Sequence, residues 1–360
     1  MNRSISTVKA DAAHISFSAL GSGIVWAVID SGIARHDHFD RNHNLDLGDA
    51  LRHCDFTGED DPLADDYGHG THVAGILAGQ LESKADLKAV SRFRDKEGNI
   101  TAQPVLGIKK MSGMAPACKL LSLKVLDKDG RGEASSIITA LEYIQDLNAN
   151  GRYIRVQGVN LSVGYGFEPE WFACGQSPLC VEVDQLVKSG VVVVVAAGNT
   201  GYGYVQSAQA GPPTAGLGVT INDPGNANRA ITVGATHRDM PHNYGVSYFS
   251  SKGPTGDGRD KPDLVAPGEK ILSCAAGKTK SEDAKRVKKL QPEYVEDSGT
   301  SMAAPHVSGV IAAFLSIRQE FIGRPDEVKE IFLDTATDLK RDRHFQGRGL
   351  VDVMRAIQSV

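Results

Sequence analysis

Four short segments of this 360-residue chain carry side chains suited to acyl-transfer chemistry. Asp30 follows the apolar run Ile24–Ile29 and opens Asp30-Ser31-Gly32. A carboxylate at the carboxyl end of a buried strand lies where ligands collect in an open parallel sheet, and it can equally be a turn residue bonded to backbone amides. His69 stands between glycines in Tyr67-Gly68-His69-Gly70-Thr71-His72, where a helix of small residues begins. Taken alone it reads more readily as a structural histidine. His69 and His72 could share a metal on one helical face, but the spacing and the Glu of a zinc-binding helix are missing. Ser301 stands at the mouth of a long apolar helix in Gly299-Thr300-Ser301-Met302. Ser is a favoured N-cap there, and the orphan N–H groups and helix dipole at that end also stabilise negative charge beside a reactive hydroxyl. Asn199 follows the run Val191–Ala197 and Gly198. A Gly-Asn step signals a turn, and the amide can also donate to an oxyanion.

Positioning such groups requires a scaffold, and its outline is legible. The runs Ile24–Ile29, Leu120–Leu126, Val156–Leu161, Val191–Ala197 and Ala230–Ala235 are near-continuously apolar and rich in Val and Ile. Strands covered on both faces read this way. Between them, Ala134–Asn148 sets Ile137, Ile138, Leu141, Ile144 and Leu147 on one helical stripe, with Gly151 beyond its end. Val181–Lys188 is a shorter helix stopped by Gly190, Ser301–Phe321 is apolar almost all round, and Pro325-Asp326-Glu327 opens another helix. Strands alternating with helices predict an α/β fold with a mainly parallel sheet, organised as a single domain over residues 1–360. Three segments break the pattern: the charged stretch 80–112, the Gly-, Pro- and Tyr-rich stretch 200–218, and the basic stretch 277–297, which reads as a solvated hairpin or loop.

Composition removes several classes. Hydrophobic residues at 41% and charged residues at 23% exclude a mostly disordered chain. The 39 basic and 44 acidic residues leave a net charge of −5, without the basic surplus of a general nucleic-acid binder. No apolar run approaches the ~20 residues of a membrane-spanning helix, so no membrane partner is expected. The N-terminal residues lack a continuous apolar core, so no secretory signal is expected in this chain, which fits a cytoplasmic protein or the trimmed form of a secreted one. The five cysteines (Cys54, Cys118, Cys174, Cys180 and Cys274) are too scattered for a disulfide framework, although Cys174 and Cys180 are close enough in sequence to pair. Gly21-Ser22-Gly23 precedes its strand rather than following it, which disfavours a dinucleotide site.

In combination the frames VIDSGI, GHGTHVAG, SVG after VNL, VVVAAGN and GTSMAAPHVSG, from about Ala10 to Val353, resemble the subtilisin-like serine peptidases, the subtilase family. The resemblance implies a three-layer subtilisin-like sandwich and endopeptidase activity through an acyl-enzyme. It makes Ser301 the nucleophile, His69 the general base, Asp30 the group that holds the imidazole, and Asn199 the side-chain oxyanion donor beside the Ser301 N–H. It further implies that a protein or peptide substrate adds as an extended strand along Gly130-Arg131-Gly132 and Ser162-Val163-Gly164. Gly164 and the backbone near Ala197 would wall the primary pocket, with Asn222 at its floor, favouring apolar or uncharged side chains. Transfer of the acyl group to an amine, as in peptide ligation or macrocyclisation, and an idle peptide-binding scaffold are the alternative readings.

The chemistry so implied needs no cofactor. Many relatives build a calcium loop where this chain carries the insertion 80–112, and Arg35-His36-Asp37-His38-Phe39 does not match the usual acidic ligand, so that site is not expected. Carbonyls around Gly225–Ala230 with Asp263 form a candidate for a weaker structural calcium, against the reading as a structural turn. No folding pro-domain precedes Ala10, which is either another departure from the family pattern or the result of a removed pro-segment.

Overall fold

The computed structural model describes residues 1, 3–59, 61–94, 99–204, 214–287 and 290–360. Seven strands make the central sheet: β1 (Val25–Asp30), β2 (Cys54–Asp55), β3 (Lys119–Lys124), β4 (Gly158–Leu161), β5 (Val192–Ala196), β6 (Ile231–His237) and β7 (Leu264–Glu269). Their order is β7-β6-β5-β4-β1-β3-β2, and every pairing is parallel. The period of two along each strand divides the apolar residues between two cores. Trp26, Val28, Leu120, Val192 and Val194 enter one core. Ala27, Ile29, Leu121, Leu123, Val193 and Val195 enter the other. Two buried faces explain why the strand sequences show no polar alternation.

The longer helices are α1 (His69–Leu77), α2 (Ala134–Leu147), α3 (Pro178–Lys188), α4 (Gly277–Arg286), α5 (Thr300–Ile317) and α6 (Pro325–Asp334). Helices α2 and α3 cover the second core through Ile137, Leu141, Ile144, Val183 and Leu186. Helices α1 and α5 lie in the first core, which completes three layers. α3 begins earlier than its apolar pattern suggests, because the Ser177 hydroxyl accepts from the Cys180 N–H and Pro178 fits the first turn. α5 stops at Ile317, and a 3₁₀ turn at Gln319–Phe321 follows it. Among the described residues α5 alone is long and apolar enough to cross a membrane, but 83% of it is buried inside the fold.

The charged stretch 80–112 forms two antiparallel pairs. Gln80–Glu82 pairs with Lys110–Ser112, and Ala89–Arg94 pairs with Ile100–Val105. The second hairpin adds in parallel to Tyr294–Asp297, which pairs antiparallel with Ile271–Cys274. The stretch 277–297, predicted as a solvated hairpin or loop, is instead a helix, α4, followed by that buried strand. Most charges of this helix stay exposed, but one turns inward: the buried Asp283 carboxylate binds Arg92 Nε at 2.8 Å from the hairpin and Arg286 at 2.9 Å from its own helix. Paired ions of this kind can lie under a surface helix that net charge alone would assign to solvent. In the third stretch Tyr202–Tyr204 pairs antiparallel with Thr214–Gly216, while 205–213 lie outside the described residues. All five cysteines are free thiols, Cys174 and Cys180 included.

Candidate active site

The four groups singled out in the sequence meet at the carboxyl edge of the sheet, the end where open α/β sheets collect their ligands. Asp30 ends β1 with its side chain fully buried. His69 is the first residue of α1, and its Nδ1 lies 2.8 Å from Asp30 Oδ1. Two glycines permit that contact. Gly68, at φ +93°, would drive a Cβ to 2.3 Å from the Ala276 carbonyl, and a Cβ on Gly70 would come within 2.2 Å of the Gly32 carbonyl. Any side chain at either position would push the helix start away from Asp30.

The electrostatics of His69 follow from this packing. Burial opposes its ionisation, but the Asp30 carboxylate, its hydrogen bond, and the charges of Asp297 and Asp65 outweigh burial and raise the imidazole pKa to about 9. The side chain keeps 19% of its surface open, and it lines a cavity of about 370 Å³ together with Ser301 and Asn199.

Ser301 is the second residue of α5, so its N–H has no carbonyl four residues back within the helix. Its hydroxyl donates to the Ser162 carbonyl at 3.0 Å, and the Ser162 hydroxyl donates to the Ser301 carbonyl at 3.0 Å. Among the described residues no hydrogen bond joins Ser301 to His69. Hydrogen bonds between catalytic groups are often loose or absent before substrate binds. The Asn199 carboxamide oxygen accepts from the Thr300 N–H at 2.9 Å and hydroxyl at 3.2 Å. That fixes the amide by its oxygen and leaves its N–H₂ as the free end.

The remaining predicted residues divide. Gly130, Ser162, Val163, Gly164 and Asn222 line the same cavity. Arg131 and Gly132 are exposed and do not line it. Ala196 lines it in place of Ala197, which is buried and bonds through its carbonyl to the Asn222 N–H at 3.0 Å. His72 Nε2 bonds the Val295 carbonyl at 3.0 Å inside the core. No group of three or more His, Cys, Asp or Glu side chains among the described residues could hold a metal ion.

Sequence reasoning missed Asp65. This buried carboxylate accepts from the Ser31 hydroxyl (2.8 Å), the Gly68 N–H (2.6 Å), the Thr71 N–H (2.8 Å) and the Thr71 hydroxyl (2.6 Å). It caps the start of α1 and ties it to the Asp30 turn. An acidic residue just ahead of a helix start was the available signal. Thr300, which orients Asn199, was also missed, because an N-terminal helix Thr looks like an ordinary capping residue.

The candidate cation site near Asp263 needs correction. Lys261 Nζ already donates to the Ala230 carbonyl (3.0 Å), the Thr232 hydroxyl (2.8 Å) and Asp263 Oδ2 (2.5 Å). Lys329 Nζ donates to the Asn228 and Ala230 carbonyls and lies 3.2 Å from Asp263 Oδ1. Two ammonium groups supply the positive charge that these oxygens need, so the residues do not fit a calcium ion there.

Residues 21–349 match the family model described as the subtilase family. The chain is 30% identical to serine protease AprX of Bacillus subtilis (strain 168) over 347 residues, 94% of this chain and 66% of that protein. It is 32% identical to pyrolysin of Pyrococcus furiosus over 341 residues, 81% of this chain and 21% of pyrolysin. It is 31% identical to subtilisin E of Bacillus subtilis (strain 168) over 354 residues, 98% of this chain and 70% of subtilisin E.

Proposed function

Because the chain belongs to the subtilase family, we propose that it is a serine endopeptidase in which Ser301, His69, Asp30 and Asn199 perform the chemistry. The Ser301 hydroxyl attacks the scissile carbonyl, and His69 Nε2 takes its proton. Asp30 holds His69 by Nδ1 and stabilises the imidazolium. The oxyanion forms opposite the Asn199 amide and the Ser301 N–H, where dipoles already fixed in place act without reorganisation. His69 then protonates the leaving amine, and water repeats the sequence on the acyl-enzyme. Each step uses groups of the chain itself.

The substrate is an extended polypeptide that adds as a strand against Ser162–Gly164 and the turn at Gly130. A primary pocket bounded by Val163, Gly164, Ala196 and Asn222 carries no charged side chain, so it favours apolar or uncharged residues ahead of the scissile bond.

The observation that carries the reading is the 2.8 Å contact between His69 Nδ1 and Asp30, with His69, Ser301 and Asn199 around one cavity. Incubation with a peptide library, read by mass spectrometry, tests it. Cleavage to free carboxylic acids that Ser301→Ala abolishes is the expected result. Products that are amides of added amines would indicate acyl transfer instead. Undiminished cleavage by the folded Ser301→Ala protein would remove Ser301 from the chemistry.

A further inference from the structure

A second cavity, of about 470 Å³, adjoins the first, and Asn199 lines both. Its far wall comes from the hairpin of the charged insertion, through Arg92, Phe93 and Ile100. That hairpin is fixed in register, with Ala89 opposite Tyr294 and Val90 opposite Val295. The strand it joins, Tyr294–Asp297, runs through Ser298 and Gly299 directly into α5 and Ser301. The insertion is therefore mounted on the segment that delivers the nucleophile.

Of the charged groups lining this cavity, Arg92, Glu296 and Glu269 have partners, and Lys270 adds one ammonium group at its rim. Arg92 binds Asp283 at 2.8 Å and lies 3.8 Å from Asp297. Glu296 binds Arg238 at 3.0 Å, and Glu269 accepts from the Ser247 hydroxyl. Apart from Lys270, the cavity's exposed large side chains are apolar or aromatic. Phe93 is 44% exposed, Ile100 45% and Tyr248 66%. The Tyr248 ring is braced edge-on by Tyr202 at 5.5 Å and Phe249 at 5.4 Å. Large apolar side chains gathered around one opening mark a recognition surface.

Continuity identifies the occupant. A substrate whose acyl half lies along Ser162–Gly164 and whose scissile carbonyl faces Asn199 continues past Asn199 toward Ser298 and the hairpin. We propose that the second cavity takes the side chain of a large apolar or aromatic residue one or two positions past the scissile bond. Phe93 and Ile100 thereby set selectivity on the leaving-group side. This inference rests on the peptidase reading.

Two peptides with one acyl half, bearing Phe-Phe or Ser-Ser just past the cleaved bond, test it beside a p-nitroanilide of that acyl half. The nitroanilide has no residue to place in the second cavity. Wild-type protein should favour the Phe-Phe peptide by about 10-fold in kcat/KM. A Phe93→Ser/Ile100→Ser double variant should bring that ratio near one, while Phe93→Leu should keep it. Equal rates on the two peptides in wild type, or a preference that survives the double variant, would overturn the inference while nitroanilide cleavage still upheld the peptidase reading. Failure of wild type on all three substrates would overturn both. Nitroanilide turnover by the double variant reports whether its catalytic row has folded. If it has not, the wild-type ratio and Phe93→Leu decide.

Discussion

Ser301 and Ser162 exchange hydrogen bonds: each hydroxyl donates to the other's carbonyl oxygen at 3.0 Å. The Ser162 hydroxyl also accepts from Asn160 Nδ2 at 2.8 Å, and the Ser308 hydroxyl holds Asn160 Oδ1 at 2.9 Å. The start of α5 is thus tied to the end of β4 by a polar chain inside the fold.

Ser162→Ala removes one bond of the exchange and leaves Asn160 without an acceptor for its amide. A lost buried hydrogen bond costs about 1–1.5 kcal/mol, so kcat should fall by about 10-fold if the loss is felt in the transition state. Steady-state kinetics on a nitroanilide would check it, and an unchanged kcat would show that the tie does not position Ser301.

Asn199→Ala removes the proposed side-chain oxyanion donor and should lower kcat by about 10²–10³-fold with little change in KM. Thr300→Val tests the support behind it, since Thr300 would lose the hydroxyl that binds Asn199 Oδ1. A smaller fall in kcat, within about 10-fold, is expected there.

The pH dependence stems from His69. Burial opposes its charge, but Asp30 and the more distant Asp297 and Asp65 raise its pKa to about 9. The base must be neutral, so kcat/KM of the free enzyme should rise with pH through an apparent pKa near 9 rather than near 6.5. Rates measured from pH 6 to 10.5 would show the limb. Stability changes in the opposite direction. A folded pKa above the unfolded value means the ion pair contributes fully below about pH 6.5. That contribution is lost as pH rises through about 9. Denaturant unfolding of the Ser301→Ala protein, which cannot digest itself, should therefore show stability falling over that window, and Asp30→Asn should flatten the fall.

Lys261→Ala should destabilise the fold by about 3–5 kcal/mol, because it strips a buried carboxylate of one of its two ammonium partners. Lys261 is 3% exposed in its side chain, and its Nζ also holds the Ala230 carbonyl and the Thr232 hydroxyl. Urea unfolding in the Ser301→Ala background measures the loss. A change below about 1 kcal/mol would mean that Lys329 and water neutralise Asp263 on their own.

Much of this architecture was legible in the residues. Continuous Val- and Ile-rich runs located five of the seven sheet strands, because double-sided burial leaves a local signature. The strand Cys54–Asp55 has only two residues, too short to show a period. Leu264–Glu269 contains Pro267 and Gly268, which read as a turn until the neighbouring strand pairs with them. The basic stretch was misread as a hairpin or loop because most of its charges look, and are, solvated, whereas Asp283 is buried against Arg92 from nearly 200 positions away. Around Asp263 the oxygen ligands were visible, but the lysines that fill their midst come from beside it and from α6, and spacing alone does not reveal that convergence. Asp65 escaped for a related reason. Its four donors lie on two segments, and only folding brings Ser31 to the start of α1.

The most direct measurement is labelling with a fluorophosphonate, followed by intact mass and peptide mapping. The account predicts a single adduct on Ser301, absent in Ser301→Ala and formed far more slowly in His69→Ala. Folded wild-type protein that takes up no label, or takes it up on another residue, would contradict an activated Ser301.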